Sequence, residues 1–422
     1  MISRELLRHI VIQQKARIEK PGDFIERTLF GRIMAAMDDD RILILSGIRR
    51  CGKSTLLQAI KNSRPGCCYA NFEDERLLSF RAEDFFMLDE ILHEVYGTCS
   101  TYFFDEIQNV EKFETFVRRL QDDGKKVILT GSNAALLSRE FGTRLTGRYK
   151  LFEVYPFSFP EYLLFRKIRP AENAPYLTEE KAVLVREFRQ YIGNGGMPEY
   201  LKNNDPDYLR TLYENILYRD IIARFSIRRQ RLVRELVGIL ASTITLPFTY
   251  NSLKKTLGLT NAITVKEYIS YLSGAYLYFE LARFDYSVKK QLGAPRKIYC
   301  IDNAMSTLAG VSITPDKGRL LENIVYIELR RRGQEIFYFS QERECDFILR
   351  DARRITAALQ VCWEVGQENR KREIEGLLGA MVEFDLADGT ILTFDQEDEL
   401  HVEGKKIILL PVWKWLVTGN TP

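Results

Sequence analysis

Nine residues, Gly-Ile-Arg-Arg-Cys-Gly-Lys-Ser-Thr at positions 47–55, stand between the apolar run RILILS and the run LLQAI. A buried strand, a glycine-bounded loop and a helix start in direct succession leave few folds open, because the loop must turn with its N–H groups inward around an anion. Gly47 and Gly52 admit that turn without side chains intruding. Lys53 is placed to reach the outer phosphates of a nucleotide. Ser54 offers a hydroxyl ligand for Mg²⁺, with Thr55 the second choice, and the following helix adds partial positive charge from its first turn. Gly47, Ile48, Arg49, Arg50, Cys51, Gly52, Lys53, Ser54 and Thr55 are all expected to surround the phosphates of a bound nucleotide.

From Arg41 onward, short apolar runs alternate with helical patterns: ILILS, STLLQAIKN, CCYANFED, AEDFFMLDEILHEVY, TYFFDE, KFETFVRRLQ, KKVILTGS, AALLSREF and RYKLFEVY. Such alternation predicts a parallel α/β sheet covered on both faces. Its third strand ends in Asp105 and Glu106, which places two carboxylates at the carboxyl edge where ligands of such folds bind. Asp105 is expected to hold Mg²⁺ through its water shell, and Glu106 to polarise the water that attacks the γ-phosphate. Ser132 or Asn133, after the next strand, is a candidate to orient the same water. Arg144 and Arg148, before the fifth strand, are candidates for an arginine finger on a neighbouring copy's γ-phosphate.

Residues 1–37 read as two amphipathic helices broken at Pro21-Gly22, with Asp23 as N-cap of the second, packing beside the nucleotide site. They carry no signal-peptide pattern, and no apolar run in the chain approaches ~18 residues, so no membrane span is expected. Lys plus Arg at 61 against Asp plus Glu at 58 gives a net charge of +3, too small to imply a nucleic-acid or membrane partner through bulk electrostatics. Seven cysteines without a CxxC pair, one of them inside the phosphate loop, fit a reducing cytoplasm; Cys67 and Cys68 read as small buried hydrophobes. His9, His93 and His401 stand far apart in sequence and suggest no metal cluster.

After YPFSFPEYL a helical region runs to about residue 230, with a tight turn at Gly195-Gly196 and a basic cluster of Arg224, Arg228, Arg229 and Arg231 at its end. Residues 231–286 follow the order helix, helix, turn, helix and apolar strands, a winged-helix pattern. Its would-be recognition helix spends Val265, Tyr268, Ile269 and Leu272 on packing, leaving mainly Lys266, Glu267 and Ser270 outside. That equips it at least as well for packing or oligomerisation as for reading DNA. SVKKQLGAPRK reads as a linker to a last α/β unit containing KIYCIDNAM, ENIVYIELRRRG, EIFYFS, CDFILR and ITAALQVCWEV. The expected domains are residues 1–155, the N-terminal helices with the P-loop core; 156–230, a helical lid; 231–286, the winged-helix unit; and 287–422, the C-terminal α/β domain.

Taken together, GIRRCGKSTLL, YANFED, YFFDEIQN, LTGSN, LTGRY before YPFSFPEY, GGMPEY, KIYCIDNA, RLLENIVYIELRRRG and ECDFIL resemble the AAA-type ATPases of bacteria and archaea whose P-loop domain precedes a C-terminal domain of uncharacterised function. The resemblance covers nearly the whole chain. It implies ATP binding with Lys53, Ser54, Asp105 and Glu106 in the roles above. It also implies an α/β fold with a parallel-sheet P-loop NTPase core, a helical lid, a winged-helix unit and a restriction-endonuclease-like C-terminal domain. That last domain resembles the PD-(D/E)xK nucleases, in which a helix glutamate, a strand aspartate and an E-x-K triplet bind divalent metal. Glu322 and Asp346 match, but the triplet reads Gln360-Val361-Cys362, so nuclease activity is not expected. Three functions stay open: a hydrolysing ATPase that drives domain movement in an assembly, a nucleotide-gated switch or scaffold for a protein partner, and an ATP-dependent DNA-binding factor.

Overall fold

The chain is seen in a computed structural model that describes residues 2–22, 24–132, 147–310 and 316–419. It divides into two compact units, one of residues 1–156 with 274–276 and one of residues 157–273 with 277–422.

The first unit is built on five parallel strands, β1 (Ile42–Ser46), β2 (Cys67–Asn71), β3 (Thr101–Asp105), β4 (Lys126–Gly131) and β5 (Tyr149–Glu153), in the order β2-β3-β4-β1-β5. Burial is complete in β1 and β3 and nearly so in β2 and β4, as a sheet covered on both faces demands, while the edge strand β5 buries only Phe152. The crossovers are α3 (Lys53–Asn62), α4 (Phe85–Tyr96) and α5 (Phe113–Asp122), preceded by α1 (Arg4–Ile18) and α2 (Thr28–Met34). Phe72, Phe80, Phe85, Phe104 and Phe116 form the centre of one core, with Phe85 and Phe116 stacked at 4.4 Å. Helix α1 buries Leu7, Ile10 and Val11, a helical stripe, into the same core.

Two expectations for this unit are corrected. The N-cap of α2 is Arg27, not Asp23, which lies outside the described residues; the Arg27 side chain is buried toward the phosphate loop. Cys67 is a free buried thiol, but Cys68 of β2 is joined to Cys99, just before β3, in a disulfide. Strands β2 and β3 are sheet neighbours, so residues far apart in sequence meet there. The cysteine count therefore carries no argument about compartment. Among the described residues no helix is long and apolar enough to cross a membrane.

The second unit opens with α6 (Phe159–Phe165), α7 (Thr178–Asn194), α8 (Pro198–Asn203) and α9 (Pro206–Asn215), the last running into a π-helical segment, Ile216–Ala223. Then come α10 (Gln230–Ser242), α11 (Tyr250–Thr256) and α12 (Ala262–Gly274). On α12 Val265, Tyr268, Ile269 and Leu272 are buried while Lys266, Glu267 and Ser270 are exposed, as the apolar spacing predicts. Arg228, Arg229 and Arg231 are exposed, and Arg231 pairs with Glu235 at 2.7 Å. Strands β6 (Tyr278–Ala282) and β7 (Arg296–Cys300) pair antiparallel, and the stretch read as a linker closes this hairpin through a short helix, α13 (Val288–Gly293). Its polar composition suits a surface connection equally well.

Beyond α14 (Asn303–Ala309) and α15 (Lys317–Arg331) lies a mixed sheet of β8 (Glu335–Ser340), β9 (Glu344–Asp351), β10 (Arg354–Val361), β11 (Asp388–Thr393), β12 (Asp398–Val402) and β13 (Lys405–Pro411), in the order β12-β13-β11-β10-β9-β8. Helix α16 (Arg370–Glu383) packs on it through Ile374, Leu377, Leu378 and Met381, and α17 (Val412–Thr418) ends the described chain. The GGMPEY and KIYCIDNA stretches meet at one buried carboxylate. Asp302 accepts from Gly196 N at 2.6 Å and Ala304 N at 3.0 Å, while Asn303 Nδ2 donates to Ile192 O at 2.9 Å and Leu320 O at 3.1 Å. Neither glycine tolerates a methyl group: a Cβ on Gly195 would lie 2.1 Å from Asp302 Oδ1, and one on Gly196 would lie 2.2 Å from Phe157 O.

Candidate nucleotide site

The loop after β1 is held against the end of β5. Val154 N donates to Ser46 O at 2.7 Å, and a Cβ on Gly47 would sit 2.0 Å from Val154 O. Gly52 has φ +101°, a left-handed conformation that L side chains resist, and it directly precedes α3. Arg27 clamps the loop from outside, its guanidinium donating to Cys51 O at 3.0 Å and to Tyr155 O. Cys51 is fully buried, and burial pushes its thiol pKa up, so it packs the loop rather than reacting. Arg49 reaches out to Glu73 at 2.9 Å. Replacing Gly47 by alanine should therefore push the loop off β5 and lower ATP affinity at least tenfold, with far-UV circular dichroism unchanged; unaltered affinity in a fluorescent-ATP titration would disprove this packing constraint.

Lys53 is buried, with Nζ donating to Gly47 O and Ile48 O at 3.0 Å each and lying 3.8 Å from Glu106 Oε1. Ser54, not Thr55, hydrogen-bonds the strand β3 carboxylate: its hydroxyl donates to Asp105 Oδ1 at 3.1 Å. Asp105 also accepts from Tyr69 at 3.3 Å and from Thr130. Burial and the adjacent Glu106 charge push the Asp105 pKa up, against the hydrogen bonds from Thr130 and Ser54 and the charge of Lys53. An exposed hydroxyl beside a carboxylate is an oxygen donor set suited to Mg²⁺.

Glu106 is a non-glycine residue in the left-handed region, φ +51° and ψ +42°, a conformation that costs energy and that surrounding contacts must hold. The contact is Thr130 Oγ1, which accepts from Glu106 N at 2.9 Å and donates to Asp105. Burial pushes the Glu106 pKa up, but Lys53, Gln108, Arg49 and Ser132 outweigh it and hold the carboxyl below its ordinary value. The group is thus an anion at neutral pH, as a base must be.

Of the other candidates, Ser132 is buried at the end of β4 and contributes to that lowering. Asn133 and Arg144 lie outside the described residues. Arg148 stands at the opposite edge of the sheet: its carbonyl accepts from Ile42 N at 2.9 Å, before β1 begins, and its guanidinium pairs with Asp122 at 2.6 Å. The residues not foreseen are Tyr69, Thr130 and Arg27. Thr130 lies in the LTGS run, two residues before the serine that was singled out, and only tertiary contact marks it. Ser54, Thr55 and Asp105 open onto a cavity of about 640 Å³ lined also by Gln14 and Arg17 of α1, which places the N-terminal helix beside the site.

Residues 39–163 match the family described as "AAA domain". The chain is 33% identical over 439 residues to an uncharacterized protein of Methanocaldococcus jannaschii, a likeness spanning 99% of this chain and 97% of that protein. The chain belongs to the same family as that protein and carries an AAA domain. This AAA-domain protein is also similar to an uncharacterized protein of Haemophilus influenzae, 27% identical over 395 residues, covering 89% and 94% of the two chains. Residues 185–314 match a domain of unknown function, DUF8612. Among solved structures it is similar to the Walker-type ATPase of Pyrococcus abyssi, with a TM-score of 0.44 and 18% identity over 68% of this chain and 96% of that one.

Proposed function

We propose that this AAA-domain protein is a Mg²⁺-dependent ATPase. The observation that carries the reading is the convergence of Lys53, Ser54, Asp105 and an ionised Glu106 at the carboxyl edge of the parallel sheet. Lys53 and the loop N–H groups bind the phosphates, Ser54 and Asp105 hold Mg²⁺, and Glu106 orients and deprotonates the attacking water. The Mg²⁺ ion supplies charge neutralisation at the phosphate oxygens. Lys53 donates to its own loop carbonyls and stands 3.8 Å from Glu106. Drawing the ammonium to a phosphate would release the carboxylate for the water.

The same pairing supports a second reading, a switch in which nucleotide occupancy rather than turnover is the signal. Steady-state ATP hydrolysis with Mg²⁺ across protein concentration separates the two. An ATPase shows Mg²⁺-dependent turnover that falls at least 100-fold in Lys53→Ala along with ATP affinity. Tight ATP binding with no turnover at any concentration would leave the switch. The helices α10 to α12 with the β6-β7 hairpin support a winged-helix reading of that region, in a packing role, and Arg148 is kept as a finger presented to another copy.

A further inference from the structure

The resemblance of the C-terminal sheet to PD-(D/E)xK nucleases implies a divalent metal held by Glu322 of α15, Asp346 of β9 and an acidic residue at the Gln360 position of β10. The side chains do not fit that ion. Gln360 is turned into the framework, its Oε1 accepting from Asp346 N at 3.2 Å and its Nε2 donating to Glu373 at 2.8 Å. Asp346 Oδ2 accepts from Val361 N at 3.0 Å, and Tyr299 OH donates to Glu322 Oε1 at 2.8 Å. Cys362 supplies no ammonium, and burial pushes its thiol pKa up to about 12.

A cation is nevertheless present. Lys297, on β7, has its side chain only 1% exposed, and its Nζ lies 3.1 Å from Glu322 Oε1, 2.9 Å from Glu344 Oε1 and 2.9 Å from Asp346 Oδ1. Three carboxylates from one helix and one strand converge on a single ammonium. We infer that the Lys297 ammonium is the resident cation of this centre, standing where the nuclease fold would hold a metal, and that the centre takes up no divalent ion while Lys297 is in place.

The charge balance supports this. Burial disfavours the ammonium, but the charges of Asp346, Glu322 and Glu344 outweigh it and keep Lys297 protonated. Glu322 Oε1 accepts from both the Lys297 ammonium at 3.1 Å and the Tyr299 hydroxyl at 2.8 Å, so its buried charge is met by two donors. Glu344 keeps 35% of its side chain in solvent, where water screens its charge. The cluster joins β7, α15 and β9 as an internal ion network, and breaking it by removing one partner is costly.

The test is Mn²⁺ binding to the full, nucleotide-free chain carrying Asp105→Asn, which weakens the nucleotide-side metal position. Free Mn²⁺ is followed by electron paramagnetic resonance, and Tm is compared in Mn²⁺ and in EDTA. The expected result is no saturable submillimolar site and the same Tm in both. Saturable Mn²⁺ binding that is lost on adding Glu322→Gln or Asp346→Asn would overturn the inference. In the same background, Lys297→Met should lower Tm in EDTA on the order of 10 °C and gain a Mn²⁺ response that Glu322→Gln abolishes. A folded Lys297→Met chain with neither change would equally overturn it. If that variant does not fold, the Mn²⁺ titration of the lysine-containing chain still decides.

Discussion

If the protein hydrolyses ATP as proposed, replacing Glu106 by glutamine should lower the steady-state rate by roughly 10²–10⁴-fold while leaving ATP affinity within a few-fold of the starting value. The amide keeps the size and the acceptor oxygen but cannot take a proton from water. The backbone stays where Thr130 holds it, because that contact is made through Glu106 N rather than through the side chain. Loss of the negative charge 3.8 Å from Lys53 leaves the ammonium with less to hold it back from phosphate, so affinity, if it moves, rises. Equilibrium titration with a fluorescent ATP analogue beside a phosphate-release assay checks both parts. Unchanged turnover would remove Glu106 from the chemistry, and a collapse of binding equal to that in Lys53→Ala would make it a binding group only.

The second large effect is on stability. Asp302→Ala orphans the buried N–H groups of Gly196 and Ala304 and removes a further hydrogen bond from Met305 N. At about 1–3 kcal/mol for each orphaned group, the loss is several kcal/mol and should lower Tm on the order of 10 °C. Gly195→Ala should cost a similar amount, since its methyl group would lie 2.1 Å from Asp302 Oδ1 at a φ of +65°. The two are not additive: the double variant removes the oxygen the methyl strikes and should fall short of the sum. Additive losses in denaturant melts would refute the clash.

The pH dependence has a definite sign. Burial raises the folded-state pKa of Asp302 from 3.8 to about 6, so its ionisation is costlier in the fold than in the open chain. Its contribution therefore improves as pH falls from 7 through about 6 toward 4. Asp302→Ala should flatten that limb of the stability profile.

Much of the first unit is legible from sequence because its signals are local. A strand, a turn with two required glycines and a helix start are contiguous, and Asp105 and Glu106 sit where β3 ends. The order β2-β3-β4-β1-β5 brings β4 beside β3, and that adjacency, invisible in a linear reading, makes Thr130 the bridge between Asp105 and Glu106. The same holds for Cys68 and Cys99, and for Arg27, whose position suggests a helix cap while its side chain is drawn to carbonyl oxygens. In the second unit Glu322 and Asp346 are picked out by the resemblance to the nucleases, but Lys297 is not. It falls at the end of a polar stretch that reads as a linker, and only the pairing of β6 with β7 turns that stretch inward.

The position of Arg148 at the amino edge of the sheet has a consequence for assembly. In β1 and β5 the strands run together from Arg148 toward the phosphate loop, so the arginine and the loop lie at opposite ends, about 15 Å of strand apart. Two copies related by a two-fold axis across a patch spanning both ends would set each arginine at the other copy's loop, a reciprocal contact that closes as a dimer. A head-to-tail contact between unlike surfaces would also bring one copy's Arg148 to another's phosphates, and its repetition either closes into a ring or continues as a filament.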